Sequence, residues 1–358
     1  MKCTYQLIKI SGAPQERGLA YGNAARNKIL KNLDFYKEFF LKKASISWEE
    51  ARNISLSYEP FIRDYYPDAL LEIEGIAQGA NVEYQDILAL NCRSEILFAI
   101  PDGCSCLGVL PEITLNNHTY LAQTWDWLMP AKENIVIVEI AQNQLPALLI
   151  VTEAGMIGGK GLNSDGIGVC LNAMSIGVGQ KGVPLHIMYR AILNSKTISD
   201  GLDCIAQAKR AGSGTFNIAA ASGFAMSVEF SPNNFDVLMS EGDPLCHTNH
   251  YLSPLFIEQD TLKIDMTDSF MRLNRLRRKS KTLKGQFDEN ALFTILSDHA
   301  NFPDSVCSHE DKNDLEMKRF CTVYAIAMDL DERTLWVTNG NPCEGQINHF
   351  RLDTTHTY

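Results

Sequence analysis

Between Pro14 and about Phe98 the apolar residues recur every three or four positions among lysines and glutamates, as in GLAYGNAARNKILKNLDFYKEFFLKKA. That spacing lays one apolar stripe along a helix and predicts a helix-rich first part. After Gly103 the period shortens. The runs CSCLGVL, TYLAQTWDW, NIVIVEI, ALLIVTE, IGVCLNAM, FNIAAAS and MSVEF are rich in β-formers and are broken by Asn-Asn, Gly-Gly, Asp-Gly and Pro-Asn; they predict short strands. Helical spacing returns around residues 184–210 and 268–298. CTVYAIAMDL and TLWVTNG, joined across Asp-Glu-Arg, read as two final strands. Strands and helices lie in blocks and do not alternate, so the expected class is α+β, with stacked antiparallel sheets. No repeat, low-complexity tract or Ser/Pro-rich linker separates the helix-rich segment 1–103 from the β-rich segment 104–358. The expectation is one compact domain.

Composition narrows the function classes. A chain of 358 residues with 45% hydrophobic and 21% charged residues can bury a large core. Its 32 basic and 43 acidic side chains leave a net charge of −11, which argues against nucleic acid or an anionic membrane as partner. The start, MKCTYQLIKI, has no signal-peptide core, and nowhere do about 18 apolar residues run together. Ten scattered cysteines without CxxC pairs fit buried thiols in a reducing compartment. A cytoplasmic protein is expected.

Within AIPDGCSCLGV, residues 99–109, a Gly-Cys pair stands where a turn meets a strand. A cysteine there suits an N-terminal-nucleophile precursor. Its thiol attacks the carbonyl of Gly103, the amide becomes a thioester, and water releases a chain that begins at Cys104. Glycine at 103 is expected to permit strained dihedrals and to leave the carbonyl open. The freed α-amine, with an ordinary pKa of about 7.7–8.0, can then act as base for its own thiol. Alone the pair also reads as a buried strand segment.

GAPQERGLAYG, DGCSC, AQTWDW, TEAGMIGGKGLNSDGIGVCLNAM, VEFSP, HTNHYLSP, DSFMRLNRL and LSDHANFPDSVCSH follow one another across nearly the whole chain. In these motifs the sequence resembles the isopenicillin-N acyltransferase family, also described as acyl-coenzyme A:6-aminopenicillanate acyltransferase-like proteins, and more distantly the choloylglycine hydrolases. The resemblance implies a four-layer αββα N-terminal-nucleophile sandwich and a precursor cut before Cys104 into an α–β heterodimer. It implies chemistry at carbon–nitrogen amide bonds through a Cys104 thioester. Hydrolysis is the favoured outcome; the alternatives are an acyl-CoA-dependent N-acyltransferase and a non-catalytic protein that keeps the fold. The expected partners are a small-molecule amide or acyl donor and an amine acceptor or acyl-CoA. No cofactor and no metal is called for.

By the same resemblance Cys104 matches the nucleophile, and Asp126, Asn172, Asn249 and Arg272 match the other site positions. Asn249 is the first choice for polarising the oxyanion, with Asn172 assisting; a turn residue bonding its own backbone is the other reading. Removing the Asn249 amide is expected to slow turnover and leave folding nearly unchanged. Asp126 either orients the Cys104 amine or is an ordinary strand carboxylate. Arg272 either pairs with Asp126 or the nucleophile's surroundings, or joins the solvated arginine face of RLNRLRR.

Three other constellations weigh less. His247 and His250 in CHTNH, and Asp298, His299 and His309 in SDHANFPDSVCSH, raise zinc hydrolysis or a Cys–His pair, but their spacing matches no established motif. EAGMIGGKG lacks the phosphate-loop lysine pattern and reads as a tight turn beside the active-site sheet. Cys106 shares the Cys104 face of an extended strand and is either a packing residue or a second reactive thiol.

Overall fold

The structure, a computed structural model, describes residues 5–97, 102–240, 242–315 and 319–353. The expected helical segment becomes α1 (Pro14–Phe39), α2 (Trp48–Leu56), α3 (Glu59–Tyr65), α4 (Asp68–Ala80), α5 (Tyr84–Asn91) and α6 (Arg93–Ile96). The later helices are α7 (Leu185–Leu193), α8 (Ile198–Ala206), α9 (Leu262–Asp265), α10 (Asp268–Thr282) and α11 (Glu289–Leu296). Strands are β1 (Gln6–Ser11), β2 (Gly103–Val109), β3 (Tyr120–Leu128), β4 (Ile135–Ala141), β5 (Leu148–Glu153), β6 (Lys160–Asn163) and β7 (Ile167–Ala173). They continue with β8 (Gly214–Ala220), β9 (Phe224–Phe230), β10 (Phe235–Met239), β11 (Leu245–His247), β12 (Phe320–Asp329), β13 (Thr334–Thr338) and β14 (Ile347–Arg351).

One sheet runs β1-β4-β5-β6-β7-β8-β9-β10 and the other β11-β2-β3-β12-β13-β14. The two pack face to face where β2 and β3 meet β7 and β8. Helices α1, α7 and α8 cover the larger sheet, and α10 and α11 cover the smaller. The layers are αββα. Both faces of the central strands are covered, which is why β2, β3, β5 and β8 are buried at every position and read as continuous apolar runs.

The hydrophobic pattern does not foretell β1, β10 or β14. Each ends a sheet and carries exposed residues, so its apolar signal is diluted. Nor is β1 antiparallel: it pairs in parallel with β4, Ile8 opposite Val138.

Helices α1 and α4 touch backbone to backbone. A Cβ at Gly18 would lie 2.2 Å from the Glu72 carbonyl oxygen, and one at Gly22 2.2 Å from that of Ile76. Conversely, a Cβ at Gly75 or Gly79 would lie 2.3 Å from the carbonyl oxygens of Gln15 or Leu19. Two four-residue glycine pairs therefore set the helix separation. Beside them Glu72 is buried and accepts from Arg17 Nε at 2.6 Å and from both terminal nitrogens of Arg190 at 3.1 Å. A buried charge is tolerable only when paired in this way. This cluster ties α1 and α4 to α7. Among the described residues no helix is long and apolar enough to cross a membrane.

Candidate active site

Five residues from separate elements meet around the Cys104 main chain. Cys104 is the second residue of β2, Asp126 lies on β3, Asn172 on β7, Asn249 in the turn after β11 and Arg272 on α10. All are buried, none more than 3% exposed. Asn249 Oδ1 accepts from the Cys104 backbone nitrogen at 2.8 Å and from an Arg272 terminal nitrogen at 3.0 Å. Its Nδ2 donates to the carbonyls of Asp102 and Ala173, each at 3.1 Å. The Cys104 carbonyl accepts from Asn172 Nδ2 at 3.0 Å and from Arg272 NH1 at 2.8 Å. The main chain at Cys104 is thus held on both sides.

Several of these placements revise the sequence reading. Arg272 does not belong to a solvated face: it is 2% exposed, and Asp268 one turn earlier accepts from its Nε at 2.7 Å. Asp126 acts on it through charge, while the carboxylate bonded to Arg272 is that of Asp268. Asn172 steadies the Cys104 carbonyl, and its own Oδ1 accepts from Asn217 at 2.6 Å. Gly103 lies within β2 opposite Asp126 and does not have positive φ. The reason for glycine there is proximity, because a Cβ would stand 2.8 Å from Asp126 Oδ2 and 2.9 Å from its Cβ. Residues 99–101 of the junction lie outside the described residues.

The electrostatics follow from burial. Desolvation pushes the Cys104 thiol well above its ordinary pKa; Asp102 and Asp126 raise it further, and Lys160 and Arg272 oppose them. Desolvation also lifts Asp126 to about 6, opposed by Arg272 and by the Thr322 hydroxyl, which donates to Asp126 Oδ1 at 2.6 Å. A thiol raised in this way is protonated at neutral pH.

The histidines of HTNH brace the loop and do no visible chemistry. His247 spans Glu229, 2.7 Å away, and the Thr248 carbonyl at 2.8 Å. His250 stacks on Phe270 and meets the Ser269 hydroxyl at 2.7 Å, and that hydroxyl accepts from the Asn249 amide at 2.8 Å. Burial lowers His250 to about 4, so it is neutral. Cys106 faces Cys170 and is likewise pushed up by burial.

A cavity of about 440 Å³ reaches Asp102 and Trp125, the neighbours of Cys104 along the chain and across the ladder. The glycine-rich segment forms part of its wall, with Gly155 at a φ of +96° and Gly158 and Gly159 on the lining. Sequence reasoning missed three residues of this wall. Lys160 stands 5.1 Å from the Trp125 ring and 5.6 Å from that of Tyr324. Glu95, lifted by burial to about 7, leaves Oε2 without a partner, and His186 leaves Nε2 so. Lys160 sits inside the GGKG stretch, and weighing it as a wall cation would have found it. Glu95 gave no signal beyond being an acidic residue near the end of the helical segment.

The family model described as acyl-coenzyme A:6-aminopenicillanic acid acyl-transferase matches residues 114–344. The 40 kDa form of acyl-coenzyme A:6-aminopenicillanic-acid-acyltransferase from Emericella nidulans is 28% identical over 343 residues, covering 94% of this chain and 92% of that protein. Protein dcd1A of Dictyostelium discoideum is 24% identical over 57% of this chain and 53% of its own length. The penicillin V acylase of Agrobacterium tumefaciens superposes with a TM-score of 0.50 at 10% identity, over 71% of this chain and 87% of that one, a likeness of fold. With the family model spanning well over half its length, the chain belongs to the acyl-coenzyme A:6-aminopenicillanic acid acyl-transferase family.

Proposed function

We propose that the protein is a self-processing cysteine N-terminal-nucleophile enzyme acting on acyl–amine amide bonds. The observation that carries this reading is the clamp on Cys104. Asn249 holds its backbone nitrogen, and Asn172 and Arg272 hold its carbonyl. A structural cysteine needs no such clamp, whereas a nucleophile whose own α-amine is the base needs that nitrogen fixed.

In processing, the Cys104 sulfur attacks the Gly103 carbonyl carbon, the carbon–nitrogen bond breaks, and the departing nitrogen takes up a proton as the α-amine. Water then cleaves the thioester to a Gly103 carboxylate and a free thiol. Segments 1–103 and 104–358 stay together as one folded pair. The cut removes Asp102 and Gly103 from the chain that carries the nucleophile, which frees Asn249 Nδ2 from the Asp102 carbonyl. That amide is then available to a substrate oxyanion, worth about 10²–10³ in rate.

In turnover the amine accepts the thiol proton, the thiolate attacks the substrate carbonyl, and the leaving amine takes the proton back. The thioester is resolved by water, with transfer where an amine fills the cavity. The relationship to the Emericella nidulans acyltransferase favours a second reading, acyl-CoA as donor. Lys160 in the cavity wall suits an anionic group on either substrate.

Intact mass and N-terminal sequencing of purified wild type and Cys104→Ala test the proposal. The expected result is a chain beginning at Cys104 in wild type and none in the variant. Active wild type with an unbroken 103–104 bond would sink it. Free acid measured against new amide, from an acyl amide and separately from an acyl-CoA with and without amine, then decides between hydrolase and transferase.

A further inference from the structure

Where the loop before β12 meets the turn after β13, His299, Cys307, His309 and Cys343 bring their donor atoms to within 4.8 Å of one another. His299 follows α11, Cys307 and His309 lie in the loop leading to β12, and Cys343 sits in the turn between β13 and β14. We propose that these four side chains form a tetrahedral structural zinc site that fastens the two loops together.

The distances carry the argument. Zinc binds cysteine sulfur at about 2.3 Å and histidine nitrogen at about 2.0 Å, so a tetrahedron around it has edges of about 3.8 Å between sulfurs, 3.3 Å between nitrogens and 3.5 Å between sulfur and nitrogen. The Cys307 and Cys343 sulfurs are 3.5 Å apart, and the two histidine Nε2 atoms 3.1 Å apart. His309 Nε2 lies 3.6 Å from the Cys307 sulfur and 3.5 Å from that of Cys343. These four edges agree within about 0.3 Å, and the remaining two, from His299 to the sulfurs, lie within 4.8 Å. The sulfurs are too far apart for a disulfide, whose bond is about 2.05 Å long. Two thiolates and two imidazoles in this geometry select zinc over magnesium or calcium, which prefer oxygen.

The surroundings add an outer hydrogen bond. Asn341 Nδ2 lies 3.5 Å from the Cys307 sulfur and donates to the Ser308 carbonyl at 2.6 Å; such contacts orient a ligand and steady thiolate charge. With four protein ligands the site is closed, so it has no position for an activated water and is not a second catalytic centre. It does bear on the first. The Ser308 amide donates to Thr322 Oγ1 at 2.9 Å, the Thr322 amide to the Ser308 carbonyl at 2.9 Å, and Thr322 Oγ1 to Asp126. Fixing Cys307 and His309 therefore fixes the residue that positions Asp126. The sequence raised zinc at His299 and His309 but left the set incomplete, because the fourth ligand, Cys343, stands 34 residues after the third and belongs to no quoted motif.

Full-length protein purified on a tag that binds no metal, with no metal added, is analysed by elemental mass spectrometry. Metal-free protein is then titrated with cobalt(II) alone. The expected result is about one zinc per chain and the intense visible bands of four-coordinate cobalt, with a thiolate charge-transfer band. Cys343→Ser and His299→Asn, both at exposed positions, should lose most of the zinc, and Cys343→Ser should halve the charge-transfer intensity. Chelation should lower the melting temperature of wild type and leave that of Cys343→Ser unchanged. Zinc below a tenth of the chain concentration together with only the pale spectrum of six-coordinate cobalt overturns the proposal. So does a Cys307–Cys343 disulfide in freshly purified reduced protein, or zinc content untouched by both variants.

Discussion

Asn249→Ala puts a number on the clamp. In wild type the side chain accepts two hydrogen bonds, one from the charged Arg272, and donates two to carbonyls. The residue is fully buried, so no bulk solvent replaces what alanine removes. Neutral bonds contribute about 1 kcal/mol net and a bond to a charged group about 1.5–3; a buried amide left unsatisfied costs more than the lost bond alone. The sum is about 4.5–6 kcal/mol, a large part of the 5–15 kcal/mol that holds a typical domain. The variant should fold, but not with the unchanged stability that a pure transition-state donor would predict. Urea unfolding in a Cys104→Ala background, where no chain is cut, isolates this cost. In the Cys104 background the same substitution should slow turnover by the processed enzyme by about 10²-fold. Asn249→Asp keeps the acceptor for the Cys104 amide and Arg272 but loses both donors, and should recover part of the stability. A loss under about 0.5 kcal/mol with wild-type turnover would show that these contacts hold nothing of consequence.

Three further outcomes are expected. Burial raises Asp126 from 3.8 to about 6, so its contribution is favourable at low pH and is lost as the pH climbs through about 6. Relative to wild type, Asp126→Asn in the uncut background should therefore gain about 2 kcal/mol between pH 4 and pH 7 in urea unfolding, and a difference that stays flat with pH refutes the assignment. Gly75→Ala places a methyl 2.3 Å from the Gln15 carbonyl oxygen; it should cost at least the 1–3 kcal/mol typical of overpacking, read as a drop in urea midpoint, and an unchanged midpoint would mean that the helices separate freely. Cys106→Ala should process at the wild-type rate, since burial holds that thiol protonated; loss of processing would make it a second reactive thiol.

What the sequence revealed depended on how locally each feature is written. Buried strands such as β3 and β5 announce themselves as continuous apolar runs, and the residues around Cys104 were legible through motifs in order. Edge strands were not: β14 alternates exposed and half-buried residues, which leaves too little contrast to detect. Arg272 could not be told from Arg275, Arg277 and Arg278 on helical spacing, because what selects it is the Cys104 carbonyl 168 residues away in sequence. Gly18 and Gly22 stood inside a recognised motif, yet their reason is the partner pair Gly75 and Gly79 on another helix. Glu72 was invisible for the same cause, since only the fold brings Arg17 and Arg190 to it.

The parallel pairing of β1 with β4 has a consequence for how the molecule is made and lost. Segment 1–103 supplies a strand of the larger sheet and the carboxylate that neutralises Arg190. Without it the downstream segment would present an open strand edge and a buried, uncompensated guanidinium. Neither piece is a module that could be produced alone and added later. A break before Cys104 would thus yield two polypeptides in fixed one-to-one ratio that assemble once, at synthesis, and are degraded together.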